Sequence, residues 1–363
     1  LVAEELLPAV LAALCPQTEA VHGLLHPHLR SRLDLLDKGN AWSVYSDRAY
    51  LGGQRHLERQ FLDWTREWYE KGEVRIPQEA FPHAYFAAGG TEALRRLFRS
   101  SCRRLHVLEG DHETATEVAR AHGIPVTEHA RWNFQALSDS EELLPGDIFY
   151  LTAPSAINGE YWSDLDEFLS LMDADHPAVH VIIDIRLIGL TQRLQPLDLA
   201  DHPSVKAVVF SLSEAFGIPS ERVGGVFTRQ PQVCFDGDRF HSPRSIEIGR
   251  TLVQEFLSRG PAALAALWTP FQREAFRLHQ ECGLLPPSAT PANVVVLAAA
   301  HESPAIEAWH GLPLFRYDIG VHRFCLAPTM GRLAEAAFQA EKAKPEEARK
   351  RSVKERGDLA AVV

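Results

Sequence analysis

Apolar residues recur at intervals of three and four near the start of the chain (Leu6, Val10, Leu11, Leu14, then Leu29, Leu33, Leu36), which predicts helices within residues 4–37. Asn40–Gly53 carries no such period and reads as irregular. The helical spacing returns with Leu57, Phe61, Trp64 and Trp68, so His56–Glu70 is predicted as a helix with a core-facing stripe. From Ala84 the pattern shortens. Compact apolar runs at Ala84–Ala88, Leu105–Leu108, Ile148–Leu151, Val179–Ile185 and Val205–Phe210 read as strands, and a glycine pair leads into a further run ending at Phe227. Helical stretches separate them, one carrying Leu94, Leu97 and Phe98 and one over Glu113–His122. Val179–Ile185 is interrupted only by His180 and Asp184, as expected of a strand covered on both faces. This alternation, from about Ala84 to Phe227, predicts an α/β fold with a mainly parallel sheet between two layers of helices.

Two apolar series, Ile246, Ile248, Leu252, Val253, Phe256 and then Leu264, Leu267, Phe271, Phe276, predict long amphipathic helices within Ser245–Leu285. A strand at Val294–Ala298, a helix at Ala305–His310 and a strand at Arg323–Leu326 follow. Lys342–Asp358 mixes both charge signs and reads as a solvated helix or a loose tail. The expected division is an N-terminal helical segment (1–45) packing with a small domain, a large domain (46–285), the small α+β domain itself (286–340) and a charged tail (341–363).

Composition narrows the function. At 363 residues, 45% of them hydrophobic, the chain can bury one large core and a smaller one. With 37 basic against 48 acidic residues, net −11, and no long basic run, a nucleic-acid partner is not expected. No apolar run approaches the roughly 20 residues that span a bilayer, so no membrane role is expected either. The 5 cysteines include no CxxC pair, which suits a reducing compartment, and the cytoplasm is the expected location. His22, His26 and His28 cluster, but Pro27 breaks any regular face and no further ligands stand at metal spacing. Internal repeats and the GxGxxG, HExxH and GxSxG motifs are absent.

Candidate chemistry concentrates in Phe210–Phe227, FSLSEAFGIPSERVGGVF. Ser211 and Ser213 stand at a strand end, Glu214 follows, and Arg222 comes eight residues after Glu214, just before Gly224 and Gly225. Hydroxyl and guanidinium groups at one turn all donate and can jointly hold a phosphate. Gly89-Gly90-Thr91 joins a strand to a helix and offers free backbone N–H groups at the helix start; Thr91 equally reads as a plain N-cap.

SLSEAFGIPSERVGG (Ser211–Gly225) resembles the lysine segment of the fold-type-I pyridoxal-phosphate enzymes, the class I/II aminotransferases. There Ser-x-Ser-Lys is followed, eight residues after the lysine, by an arginine for the cofactor phosphate. In this chain the lysine position is Glu214. Gly89-Gly90-Thr91-Glu92-Ala93-Leu94 is similar to the family's phosphate cup, and Asp184 resembles the acid that pairs with the pyridine nitrogen and makes the ring an electron sink. The resemblance spans roughly residues 40–330 and implies an aminotransferase-like large domain with a small α+β domain, in a homodimer with its site at the subunit interface. It implies cofactor contacts from Gly90, Thr91, Asp184, Ser211, Ser213 and Arg222, a stacking role for His112, and a phosphate contact from the partner subunit's Tyr50. Arg323, in Val321-His322-Arg323-Phe324, resembles the arginine that takes the carboxylate of an amino or keto acid; an ordinary surface arginine is the alternative.

Three positions depart from the family pattern. Glu214 replaces the lysine, Ala156 stands where an asparagine would meet the cofactor's phenolic oxygen, with Asn158 two residues on, and Leu187 stands where a tyrosine would. A carboxylate forms no Schiff base, and Lys206, at the far end of the preceding strand, does not replace the missing amine. Lysine-dependent transamination is therefore not expected, and the leading expectation is an aminotransferase-like pseudoenzyme that binds a partner or ligand. One alternative is an enzyme holding pyridoxamine or pyridoxal phosphate noncovalently, with Glu214 as acid/base. A second is an α/β protein whose phosphate cup holds some other phosphate metabolite.

Overall fold

Alternation within the apolar runs decides which face of the sheet each side chain takes. In the computed structural model, which describes residues 25–38, 49–111, 113–138, 140–218, 220–236, 242–301, 315–317 and 321–343, the strands fall in chain order. They are β1 (Val74–Arg75), β2 (His83–Ala87), β3 (Leu105–Leu108), β4 (Val126–His129), β5 (Ile148–Thr152), β6 (His180–Asp184), β7 (Leu197–Asp198), β8 (Val205–Ser211), β9 (Gly224–Thr228), β10 (Thr290–Pro291), β11 (Leu297–His301), β12 (Phe315–Tyr317) and β13 (Val321–Cys325). Seven of them build one sheet in the order β2-β9-β8-β6-β5-β3-β4. From β4 to β8 all pairings are parallel, and β9 runs antiparallel to both β8 and β2. The expected mainly parallel sheet is present, with one reversed strand.

Phe149, Leu151, Val181, Ile183, Val208 and Phe210 enter one core with Phe61, Trp68, Phe168 and Ile246. Their strand neighbours Ile148, Tyr150, Ile182, Ala207 and Val209 enter the opposite core with Leu94, Leu97, Phe98 and Val118. Helices Ala49–Glu70, Leu165–Asp175 and Pro243–Phe256 thus cover one face, and Gly90–Ser101 and Glu113–Ala121 the other. A one-residue slip of any central strand would exchange the two sets, so burial on both sides fixes the register.

Several boundaries differ from those read in the sequence. The helix expected from His56 begins at Ala49 and carries Gly52 and Gly53 inside it. Packing of its apolar stripe on Pro243–Phe256 outweighs the glycines' low propensity. The N-cap of Gly90–Ser101 is Gly89, at φ 81, and not Thr91, because glycine alone takes that conformation without strain. β4 is not legible in the sequence, since VTEH is mostly polar and half-buried at the sheet edge.

A second, antiparallel sheet has the order β10-β11-β13-β12. Its core includes Trp268, Val294, Val296, Phe324, Leu326 and Met330. The strand expected at Val294–Ala298 is displaced to Leu297–His301. Asn293 explains the shift: its side chain accepts from Arg193 N–H (2.8 Å) and donates to the carbonyls of Gly159 (2.8 Å) and Arg193 (3.1 Å). These bonds tie the following valines to the large sheet's loops, where Val294 N–H meets Asn158 O and Val295 N–H meets Leu190 O. Gln272, in helix Gly260–Glu281, completes the seam by donating to the carbonyls of Ala292, Val294 and Leu297. The helix expected at Ala305–His310, residues 1–24 and the tail beyond 343 lie outside the described residues.

Gly224 is where the fold is least forgiving near the strand ends. A Cβ there would stand 2.6 Å from Phe210 O and 2.8 Å from Gly89 Cα, both backbone atoms. Gly224→Ala is expected to cost about 1–3 kcal/mol through this overlap, read as a lowered urea midpoint with an unchanged slope. An unchanged midpoint would mean that β9 and the Gly89 turn are not in contact.

Among the described residues no helix is long and apolar enough to cross a membrane, and no group of three or more potential ligands could hold a metal ion.

Candidate active site

The parallel strands β5, β6 and β8 end on one side of the sheet, and period-two alternation sends Tyr150, Asp184 and Val209 to the face beneath helix Gly90–Ser101. Asp184 is the last residue of β6 and is 1% exposed. An isolated charge there would be prohibitive, and the chain supplies its partners. Tyr150 Oη donates to Asp184 Oδ2 (2.9 Å), Arg186 Nε donates to the same oxygen (2.8 Å), and Arg186 Nη2 does so as well. Asp184 Oδ1 accepts from the backbone N–H of Arg186 (3.0 Å). The other arm of the guanidinium, Nη1, lies 3.6 Å from Glu214 Oε1. The Arg186 side chain is 2% exposed and that of Glu214 28%.

Glu214 sits in the short helix Leu212–Ala215 that follows β8. Burial pushes its carboxyl up, the Asp184 charge adds to that, and Arg186 and Arg222 pull it back. Burial works against the Arg186 charge, but Asp184, Tyr150 and Glu214 overcome it and hold the guanidinium above its usual range. The Tyr150 phenol is held well above its ordinary value by burial and by Asp184, and so is Tyr69 by burial, Asp184 and Glu214. Both phenols therefore stay neutral, and Tyr150 stays a donor.

Arg222 has a left-handed backbone (φ 50), a conformation that costs a non-glycine residue about 1–2 kcal/mol. Its guanidinium lies against Gly89, 3.4–3.6 Å from where a Cβ on that residue would stand. Gly90 faces Arg186 Nη2 (3.4 Å), Val209 (3.5 Å) and Ser211 Cβ (3.6 Å), measured the same way. Ser211, 4% exposed, is thus drawn into the group, and Thr91 lies one residue further into the helix. Ser213 Oγ accepts from Val223 N–H (3.0 Å) and ties Leu212–Ala215 to the residue before β9.

Gly90, Asp184, Ser211, Glu214 and Arg222 accordingly meet at the carboxyl ends of the strands, where open α/β sheets bind ligands. Arg323 Nη1 donates to Ala156 O (2.6 Å), linking β13 to the loop after β5. Asn158 is engaged locally, its side chain accepting from Glu160 N–H (3.0 Å). Leu187 packs into the core of the second sheet. Lys206 stands at the start of β8 and donates to Pro203 O (2.6 Å), so its amine is at the opposite end of the strand from Glu214. His112 and the Tyr50 side chain lie outside the described residues. Sequence reasoning missed Arg186, Tyr150 and Tyr69. The available signal is Arg186 itself, a cation directly beyond a run buried on both faces, which requires an acid nearby.

No family model matches the chain, and no curated protein matches it in sequence. Solved structures do. YbdL from Escherichia coli, for which a methionine aminotransferase function is described, is 15% identical, with a TM-score of 0.63 over 91% of this chain and 95% of that one. A probable N-succinyldiaminopimelate aminotransferase from Thermus thermophilus is 16% identical, with a TM-score of 0.61 over 87% and 91%. The histidinol-phosphate aminotransferase of Sinorhizobium meliloti, in complex with pyridoxal-5'-phosphate, is 12% identical, with a TM-score of 0.56 over 88% and 90%. The chain has an aminotransferase-like fold. At these identities the likeness speaks for the aminotransferase-like architecture alone.

Proposed function

We propose that this aminotransferase-like chain is a pseudoenzyme that does not carry out lysine-dependent transamination. The reading rests on Glu214: the short helix after β8 presents a carboxylate, paired to Arg186, at the position for which the sequence resemblance implies the Schiff-base lysine. Pyridoxal phosphate fits this residue set poorly. A pyridinium N–H would have to share Asp184 with four donors already in place, since Oδ2 takes Tyr150 and two from Arg186 and Oδ1 takes a backbone N–H. What remains open to a ligand is the rim, with Arg222 and the exposed edge of Glu214. The homodimer expected from the resemblance belongs to the same reading.

The test is incubation of the purified chain with pyridoxal phosphate, a panel of amino acids and a keto-acid acceptor. No keto-acid product and no borohydride-fixed adduct on any lysine are expected. Steady turnover, or a stoichiometric lysine adduct, would end the pseudoenzyme reading. A second reading, an enzyme that holds pyridoxamine phosphate noncovalently, draws support from the raised Glu214 carboxyl, which keeps a proton to higher pH than an ordinary glutamate and can donate it. Turnover of a keto acid with added pyridoxamine phosphate, abolished in Glu214→Gln, would select it.

A further inference from the structure

Charge balance at the strand ends is complete without any ligand. Asp184 and Glu214 contribute two negative charges, Arg186 and Arg222 two positive ones, and all four influence Glu214 electrostatically or constitute it. Within that set Arg186 has a singular position. It is 2% exposed, contacts carboxylates from two different elements, β6 and the helix after β8, and rests against the Gly90 backbone at the start of helix Gly90–Ser101. Two of its donors are on Oδ2 of Asp184, the carboxylate on which a pyridinium nitrogen would draw.

We infer that Arg186 is a built-in occupant of the cofactor position: the chain's own guanidinium supplies Asp184 with its cation, links it to Glu214 and closes the site to a phosphorylated pyridine. This rests on the pseudoenzyme reading and deepens it, because it assigns the closure to Arg186 and not to loss of the amine alone. Two consequences separate the causes. Returning an amine at position 214 leaves Asp184 engaged, so Glu214→Lys by itself does not restore cofactor uptake. Shortening Arg186 frees the Asp184 oxygen, so uptake then follows even where no amine is present.

The experiment compares the wild-type chain with Glu214→Lys, Arg186→Ala, Arg186→Gln and the two double variants, each checked for fold by circular dichroism. Pyridoxamine phosphate binding is read by calorimetry, and pyridoxal phosphate attachment by the mass of the borohydride-reduced chain. Arg186→Ala and Arg186→Gln are expected to bind pyridoxamine phosphate at least roughly tenfold more tightly than wild type, since removing a competing internal occupant raises the binding-competent fraction. The double variants are expected to take up pyridoxal phosphate covalently at position 214, and Glu214→Lys alone is not. Arg186→Gln, whose shorter neutral amide removes the cation and the link to Glu214, provides a folded protein if Arg186→Ala fails. An adduct in Glu214→Lys alone would overturn the occupant inference while leaving the pseudoenzyme reading intact. Folded double variants that take up nothing would overturn it as well. Turnover by the wild-type chain would instead strike at the pseudoenzyme reading.

Discussion

Arg186→Met is expected to lower the free energy of unfolding by about 3–5 kcal/mol, the range found when one partner of a buried ion pair is removed. The loss does not measure the attraction between the two charges. It arises because Asp184, 1% exposed, is left ionised in a site where only Tyr150 and a backbone N–H still answer it. The companion variant decides the matter: Asp184→Asn together with Arg186→Met is expected to recover most of the loss, because a neutral amide in the same place carries no uncompensated charge. Urea unfolding of the two single variants and the double variant gives the coupling directly. Equal instability of the Arg186→Met and double variants would show that the ion pair is not what the guanidinium provides.

The second large effect is in pH. His279, fully buried in helix Gly260–Glu281, bonds Thr329 Oγ1 through Nε2 (2.7 Å), and burial lowers it from 6.5 to about 4. The unfolded chain therefore binds a proton at this residue between pH 6.5 and about 4 that the folded chain refuses. Stability is fully present above pH 6.5, declines as the pH falls through that window, and by pH 4 this residue alone has removed about 3 kcal/mol. His106 and His129, stacked on each other and also lowered by burial, act in the same sense. Burial raises the carboxyls of Asp111 and Glu214, which act in the opposite sense, so the comparison is made against His279→Gln and not against wild type alone. The variant offers Thr329 an amide as hydrogen-bond partner and cannot titrate. Its unfolding free energy is expected to fall less than that of wild type between pH 7 and pH 4.5; parallel curves would remove His279 as the cause.

How much of this is legible in the sequence depends on where the partners of each residue stand in the chain. β3 reads at its observed limits and β5, β6 and β8 to within a residue or so, because strands buried on both faces leave unbroken apolar runs between polar punctuation. Val294–Ala298 is misplaced because the run Val294–Ala300 is apolar throughout, and its strand portion is set by the Asn293 side chain bonding to residues far away in sequence. The gathering of Gly90, Asp184, Ser211 and Arg222 is visible through strand ends and turn residues, each a local signal. Arg186 is only half legible: a cation directly beyond a run buried on both faces calls for an acid, but nothing local says that Glu214, in the helix after β8, is one of those that answer it. The bond from Arg323 to the carbonyl of Ala156 is not legible for a similar reason, since nothing local announces it.

The seam between the two sheets has a weakness of a different order. Asn293 and Gln272 contribute neutral amides facing peptide carbonyls, bonds that added salt, which screens exposed pairs such as Arg277–Glu281, does not weaken. Chemical ageing does. Deamidation of Asn293 would exchange its NH2 donors for a second acceptor oxygen, aimed at the carbonyls of Gly159 and Arg193, and the clasp would become a repulsion buried at 3% exposure.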